Sequence, residues 1–143
     1  MTDRPEALRR LDPLVGTWEV TVTGDFAPEP LKGTMTCEWQ EGRFLVQRSS
    51  AEPADVPASV VVVGVDDTTE ACTALYTDER GVHRIYEMSL TDGVWLQWRD
   101  APGFAQRFTG TFDGPDTIHA KWEMCRDGNT WRHDFDMTYR RQR

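Results

Sequence analysis

From Trp18 to Arg140 apolar and polar residues alternate with a period of two, and that alternation leaves few folds open to the chain. Trp18, Val20 and Val22 alternate with Glu19, Thr21 and Thr23. Met35, Cys37 and Trp39 alternate with Thr36 and Glu38, and Ile118, Ala120, Trp122 and Met124 with His119, Lys121 and Glu123. In an extended strand successive side chains point to opposite faces, so each segment buries one face and wets the other. Ten such runs are expected: Thr17–Thr23, Gly33–Gln40, Arg43–Ser50, Ser59–Val65, Ala71–Thr77, Val82–Leu90, Val94–Arg99, Phe104–Phe112, Thr117–Arg126 and Thr130–Arg140. Turn signals separate them, among them Glu41-Gly42, Asp92-Gly93, Asp113-Gly114 and Asp127-Gly128.

Sequential strands with short links and one buried face each are most simply an antiparallel up-and-down meander closed into a β-barrel, because closure removes both exposed edges. An even strand number lets the last strand pair antiparallel with the first; a two-sheet sandwich is the alternative that the same alternation allows. At 143 residues, 38% of them hydrophobic, the chain is long enough to close such a core as one domain spanning 1–143.

One short helix precedes the strands. Asp3 is placed to cap it, Pro5 suits its first turn and Glu6 completes a capping box; Ala7, Leu8 and Leu11 share a face, and Pro13 ends it. This helix is expected to plug one end of the barrel.

The links give the barrel a polarity. Connections after even strands are tight (Glu41-Gly42, Asp66–Glu70, Thr91–Gly93, Asp113–Asp116), whereas those after odd strands include Gly24–Lys32, Ala51–Ala58 and Asp100–Gly103. Longer loops on a rigid scaffold are where binding concentrates, so the mouth is expected at the odd-loop end and the helix at the other.

The longest apolar run, Val60–Val65, is far short of a membrane span, and the amino terminus lacks a signal peptide's apolar core, which predicts a cytoplasmic protein. Cys37, Cys72 and Cys125 show no paired spacing and are expected as reduced thiols. A net charge of −8 argues against nucleic acid and anionic membrane as partners.

Candidate site residues follow from height along the barrel. His133, Gln106 and His83 start even strands and are expected in the upper lumen, joined by Arg48 if Phe44 and Val46 face inward. Trp39, Trp98 and Trp122 are counted with them, giving an apolar cup under a polar collar for a small hydrophobic or amphipathic ligand. The competing expectation is that side chains and trapped water fill the lumen. An isomerase or cyclase using His133 or Glu87 as an acid-base group is a further alternative, although which face of Val82–Leu90 looks inward is ambiguous. No metal site is written in the spacings, and no nucleophile motif is present.

Gly16-x-Trp18 opening the first strand after a short helix, with Tyr139-Arg140 ending the last, resembles the calycin superfamily of lipocalins and fatty-acid-binding proteins. The resemblance implies that Gly16 and Trp18 close the base and that Arg140 packs over the indole. Gly42–Leu45, Gly64–Asp66, Asp78–Gly81 and Asp127–Trp131 resemble the pattern of uncharacterised bacterial lipocalin-like proteins, which implies a fold and no particular function. The neighbouring nitrobindins bind haem through a histidine on the final strand. This chain departs from their pattern, with Val20 and Val22 where they carry glycines, and with His133 six residues before Tyr139 where their histidine lies five before. One residue of slip turns a side chain to the other face, so His133 matches only through a bulge.

Overall fold

The computed structural model describes residues 6–52 and 56–143, so Asp3 and Pro5 of the expected helix start and Pro53 of the second long loop lie outside the described residues. One turn of helix, α1 (Glu6–Arg9), is followed by a 3-10 turn at Asp12–Leu14. Ten strands come next: β1 (Gly16–Gly24), β2 (Leu31–Gln40), β3 (Phe44–Ala51), β4 (Ser59–Val65) and β5 (Cys72–Asp78), then β6 (His83–Thr91), β7 (Val94–Arg99), β8 (Ala105–Phe112), β9 (Thr117–Cys125) and β10 (Arg132–Gln142). Each strand pairs antiparallel with its sequence neighbour, and β1 pairs with β10, closing the barrel. The expected meander is therefore the observed one, with every strand where the alternation places it to within two residues. No helix among the described residues is long and apolar enough to cross a membrane.

The helical lead-in is shorter than a full plug, but its leucines close the base. Leu8, Leu11 and Leu14 are buried in one core cluster with Trp18, Met35, Cys37, Trp95 and Tyr139. Trp18 is completely buried and its indole Nε1 donates to the Leu14 carbonyl at 2.9 Å, tying β1 to the 3-10 turn.

The cation over the indole is Arg141, not the expected Arg140. Tyr139 faces inward, so in a period of two Arg140 points to solvent and Arg141 turns back over the base, where it also pairs in register with Trp18. Its guanidinium carbon stands 4.2 Å from the ring centre. Its nitrogens donate to the carbonyls of Val15 (2.6 Å), Pro13 (2.7 Å) and Pro115 (3.0 Å) and to Asp116 Oδ1 (3.0 Å). Gly16 makes this approach feasible: its φ is +140°, and a β-carbon there would sit 2.6 Å from Arg141 Nη1. The Gly-x-Trp step is thus a socket for an arginine.

Aromatic contacts continue upward from this seal. Trp18 meets Tyr139 edge-on at 6.5 Å; Tyr139 meets Trp95 at 5.6 Å; Trp95 meets Phe108 at 4.6 Å; Phe108 meets Trp122 at 5.1 Å; and Trp122 meets Tyr86 at 5.6 Å. Three of the five are edge-on, the arrangement aromatic quadrupoles favour, and the contacts of Trp95 with Tyr139 and of Phe108 with Trp122 are tilted.

Trp18→Ala is expected to lower unfolding free energy by roughly 3–5 kcal/mol, the cost of emptying a buried aromatic site. Arg141→Met should cost about 2 kcal/mol, because charge-assisted bonds and a ring contact are lost together. Arg140→Ala should stay within about 0.5 kcal/mol of the parent. Urea titration of the three variants separates these outcomes, and equal effects at Arg140 and Arg141 would contradict the assignment.

Candidate functional site

Inside the barrel the inward faces do not fill the space. A cavity of about 550 Å³ runs from the mouth down to Met35, Gln47, Trp95, Phe108 and Tyr139. Its upper rim is formed by Phe26 of the β1–β2 loop, Val56 and Pro57 of the β3–β4 loop and Arg80 of the β5–β6 loop. These are connections after odd strands, so the opening lies at the expected end. Val20, Val22, Val61, Trp122, Phe135 and Met137 supply apolar wall. Phe26 meets Phe135 edge-on at 5.8 Å beside the opening.

The polar wall residues are mostly committed to each other. The Tyr86 hydroxyl donates to Gln106 Oε1 at 2.7 Å. Tyr76 donates to Asp78 Oδ2 at 2.8 Å, and Arg80 pairs with the same carboxylate at 2.7 Å. The Arg80 guanidinium and the Tyr76 hydroxyl together hold the Asp78 carboxyl below the ordinary carboxylate range. Burial and that same carboxylate push the Tyr76 phenol up to about 12. Among the described residues lining the cavity, Lys32 and Arg80 carry charge, both toward the mouth, and no carboxylate does.

The sequence-derived candidates divide sharply. Trp122 lines the cavity, and Gln106 is buried behind it as the acceptor for Tyr86. Trp39 faces inward but at the base, where its Nε1 donates to Asp12 Oδ1 at 2.9 Å, away from the cavity. Arg48, His83, Trp98 and His133 are exposed and do not line it. On β3 the inward residues are Leu45, Gln47 and Ser49, which turns Arg48 outward although Val46 is buried. On β6 the buried residues are Tyr86, Met88 and Leu90, which places His83, Ile85 and Glu87 outside and removes Glu87 as an acid-base group of the lumen. On β7 the buried residues are Trp95 and Gln97, so Trp98 points out.

His133 is turned outward by a bulge. The register of β10 against β9 shifts between His133 and Phe135: Phe135 pairs with the inward Trp122, while His133 pairs with Glu123, whose carboxylate binds the outward Arg107 at 2.9 Å. The extra residue is Asp134, and His133 Nε2 lies 2.9 Å from Asp136 Oδ1 on the outer surface. Trp131, which strict alternation along Thr130–Arg140 would put on the face of Phe135, lies under Arg107, with 4.1 Å between guanidinium carbon and ring centre. His83, His119 and His133 are all exposed, so the lumen offers no histidine to a haem and none to acid-base catalysis.

Sequence reasoning missed Gln47, Tyr76, Tyr86, Trp95 and Gln97 as cavity residues. Counting β3 from Leu45 and β7 from Trp95 would have found Gln47 and Gln97, since each lies two residues beyond a large apolar side chain.

No protein-family model and no curated protein matches the chain. Solved structures do. Rv2717c from M. tuberculosis is similar over 99% of this chain and 100% of its own, at 18% identity and a TM-score of 0.67. A protein of unknown function from the DUF3598 family of Nostoc punctiforme PCC 73102 is similar over 92% of this chain and 49% of its own, at 12% identity and a TM-score of 0.61. The S-type phycobiliprotein lyase CPES of Guillardia theta is similar over 95% of this chain and 92% of its own, at 12% identity and a TM-score of 0.57. At such identities the likeness is one of fold.

The cysteines are free thiols, and burial pushes Cys37, beside the cavity residue Gln47, up to about 12 and Cys72 up to about 11. The unfolded chain releases these protons from about pH 9, whereas the fold retains them, so stability is intact below about pH 9 and falls as pH rises beyond it. Cys37 alone should cost about 1 kcal/mol by about pH 10. Urea midpoints measured on either side of about pH 9 should show the decline, and Cys37→Ala should flatten it.

Proposed function

We propose that the protein is a binding module of the calycin type that takes one small hydrophobic or amphipathic molecule into the barrel through the loops after β1, β3 and β5. The observation that carries this reading is the cavity itself, about 550 Å³, open at one end and sealed at the other. Its volume lies within the range of small-molecule pockets, and its wall combines apolar surface with a few polar groups, the composition that orients a ligand without reacting with it. The sealed base supports the reading, because Arg141, Trp18 and the leucines around them leave one way in. The similarity to barrels such as the phycobiliprotein lyase supports the architecture and does not identify the ligand. Trp122, Phe135, Met137 and Val61 are the walls such a molecule would touch.

The neutral fluorophore N-phenyl-1-naphthylamine should bind with a rise in emission and quench the tryptophans facing the lumen. Val61→Trp and Val22→Trp, which enter the cavity from two different strands, should each weaken uptake about tenfold or more while a folded melting transition is retained; His133→Ala should change nothing. Absence of uptake by the parent protein, or uptake unaffected by both filling variants, would overturn the reading.

A further inference from the structure

The cavity wall contains two buried hydrogen-bond donors without a geometrically good acceptor among the described residues. Gln47 Nε2 and Trp95 Nε1 are buried without a partner among the described residues, in side chains only 4% and 1% exposed, and both residues line the cavity. Gln47 Nε2 faces the Cys37 sulfur, a weak acceptor, at less than full hydrogen-bond geometry, so Trp95 Nε1 is the stricter orphan of the two. Native interiors rarely leave an N–H unpaired, and an orphan of this kind calls for an explanation. The other polar groups at this depth are used: Tyr86 on Gln106, Tyr139 on the Met137 sulfur, Trp18 on the Leu14 carbonyl. What remains over at this depth is the donor capacity of Gln47 and Trp95.

The missing acceptor has a definable chemistry. An indole nitrogen can only donate, so the partner atom must carry a lone pair. The charged groups lining the cavity, Lys32 and Arg80, lie toward the mouth, so a carboxylate seated at the floor would be buried without a counter-charge, which is unfavourable. Resting on the lumen reading above, we infer that the ligand is a neutral molecule with an apolar body and a carbonyl oxygen at its inner end. A ketone, quinone, lactone or amide carbonyl enters first and accepts from Gln47 and Trp95, while the apolar body lies along Phe108, Trp122 and Met137. A hydrocarbon of the same shape leaves both donors unpaired and binds less well.

The test compares 2-propionylnaphthalene with 2-propylnaphthalene, which share a skeleton and differ at the carbonyl. Calorimetric titration of the full chain with each should show the ketone binding about tenfold tighter, although it is the more water-soluble of the two. In Gln47→Met or Trp95→Phe that ratio should fall toward or below one. Using the ratio within each variant cancels any general loss of packing. The carbonyl stretch of the bound ketone, followed by infrared spectroscopy in the unmodified protein, should move to lower wavenumber than in hexane, which tests the hydrogen bond without any substitution. Binding of both probes with the hydrocarbon equal or tighter overturns this inference and leaves the lumen reading standing. A preference for the ketone that survives both variants overturns the assignment to these two donors. Binding of neither probe overturns the lumen reading and this one with it.

Discussion

Arg141 is the piece on which the rest of the barrel depends. Its guanidinium lies on the Trp18 indole and reaches the carbonyls of Pro13, Val15 and Pro115 and the carboxylate of Asp116. One side chain from the last strand thereby fastens the lead-in before β1, the first strand, and the β8–β9 turn. Bonds of a charged donor to carbonyls and a carboxylate are stronger than neutral ones, and the ring beneath shields them from water. With the base closed in this way, the interior can be left partly empty toward the other end, since the barrel does not rely on filling its lumen to stay shut.

The two ends are built from different materials. The lower third is leucine, tryptophan and tyrosine in a contiguous core. The upper part is walled by smaller and more polar side chains, with Ser49, Ser50, Ser59 and Thr34 among those around the cavity. Packing density therefore falls from base to mouth along one axis, and the aromatic series from Trp18 through Tyr139, Trp95 and Phe108 to Trp122 joins the two regions. A closed mouth would need apolar residues where β2 begins with Leu31-Lys32 and where the β5–β6 loop carries Arg80.

The strands and the base were legible in the sequence because they obey local rules. Period two fixes a strand, a glycine after an acidic residue fixes a turn, and Trp18 after Gly16 marks the first strand's start. The site was less legible because the outer surface is itself apolar in places: Phe44, Val60, Val62, Ile85, Leu96 and Trp98 are all substantially exposed. On β3, β6 and β7 both faces carry hydrophobic side chains, so alternation no longer says which is inside, and Arg48, His83 and Trp98 were assigned to the wrong one. At the end of the chain the error was one position: β10 runs on to Gln142, so the inward face continues from Tyr139 to Arg141 and passes over Arg140. The β10 bulge carries no glycine or proline to announce it, and its effect on His133 follows only from the pairing with β9.

That bulge divides β10 into two independently phased halves. Below it, Phe135, Met137, Tyr139 and Arg141 are locked by the core and the seal; above it, Arg132 and His133 are themselves exposed and pair with the half-buried Met124 and Glu123. Deleting Asp134 would remove the bulge and leave a regular ladder in which His133 still pairs with Glu123 on the outer surface. Pairing Asp134 itself with Glu123, at unchanged chain length, would instead shift Arg132 and His133 by one face and carry the imidazole toward the lumen. What holds the histidine away from any occupant of the barrel is therefore a choice of backbone pairing, with no side chain exchanged.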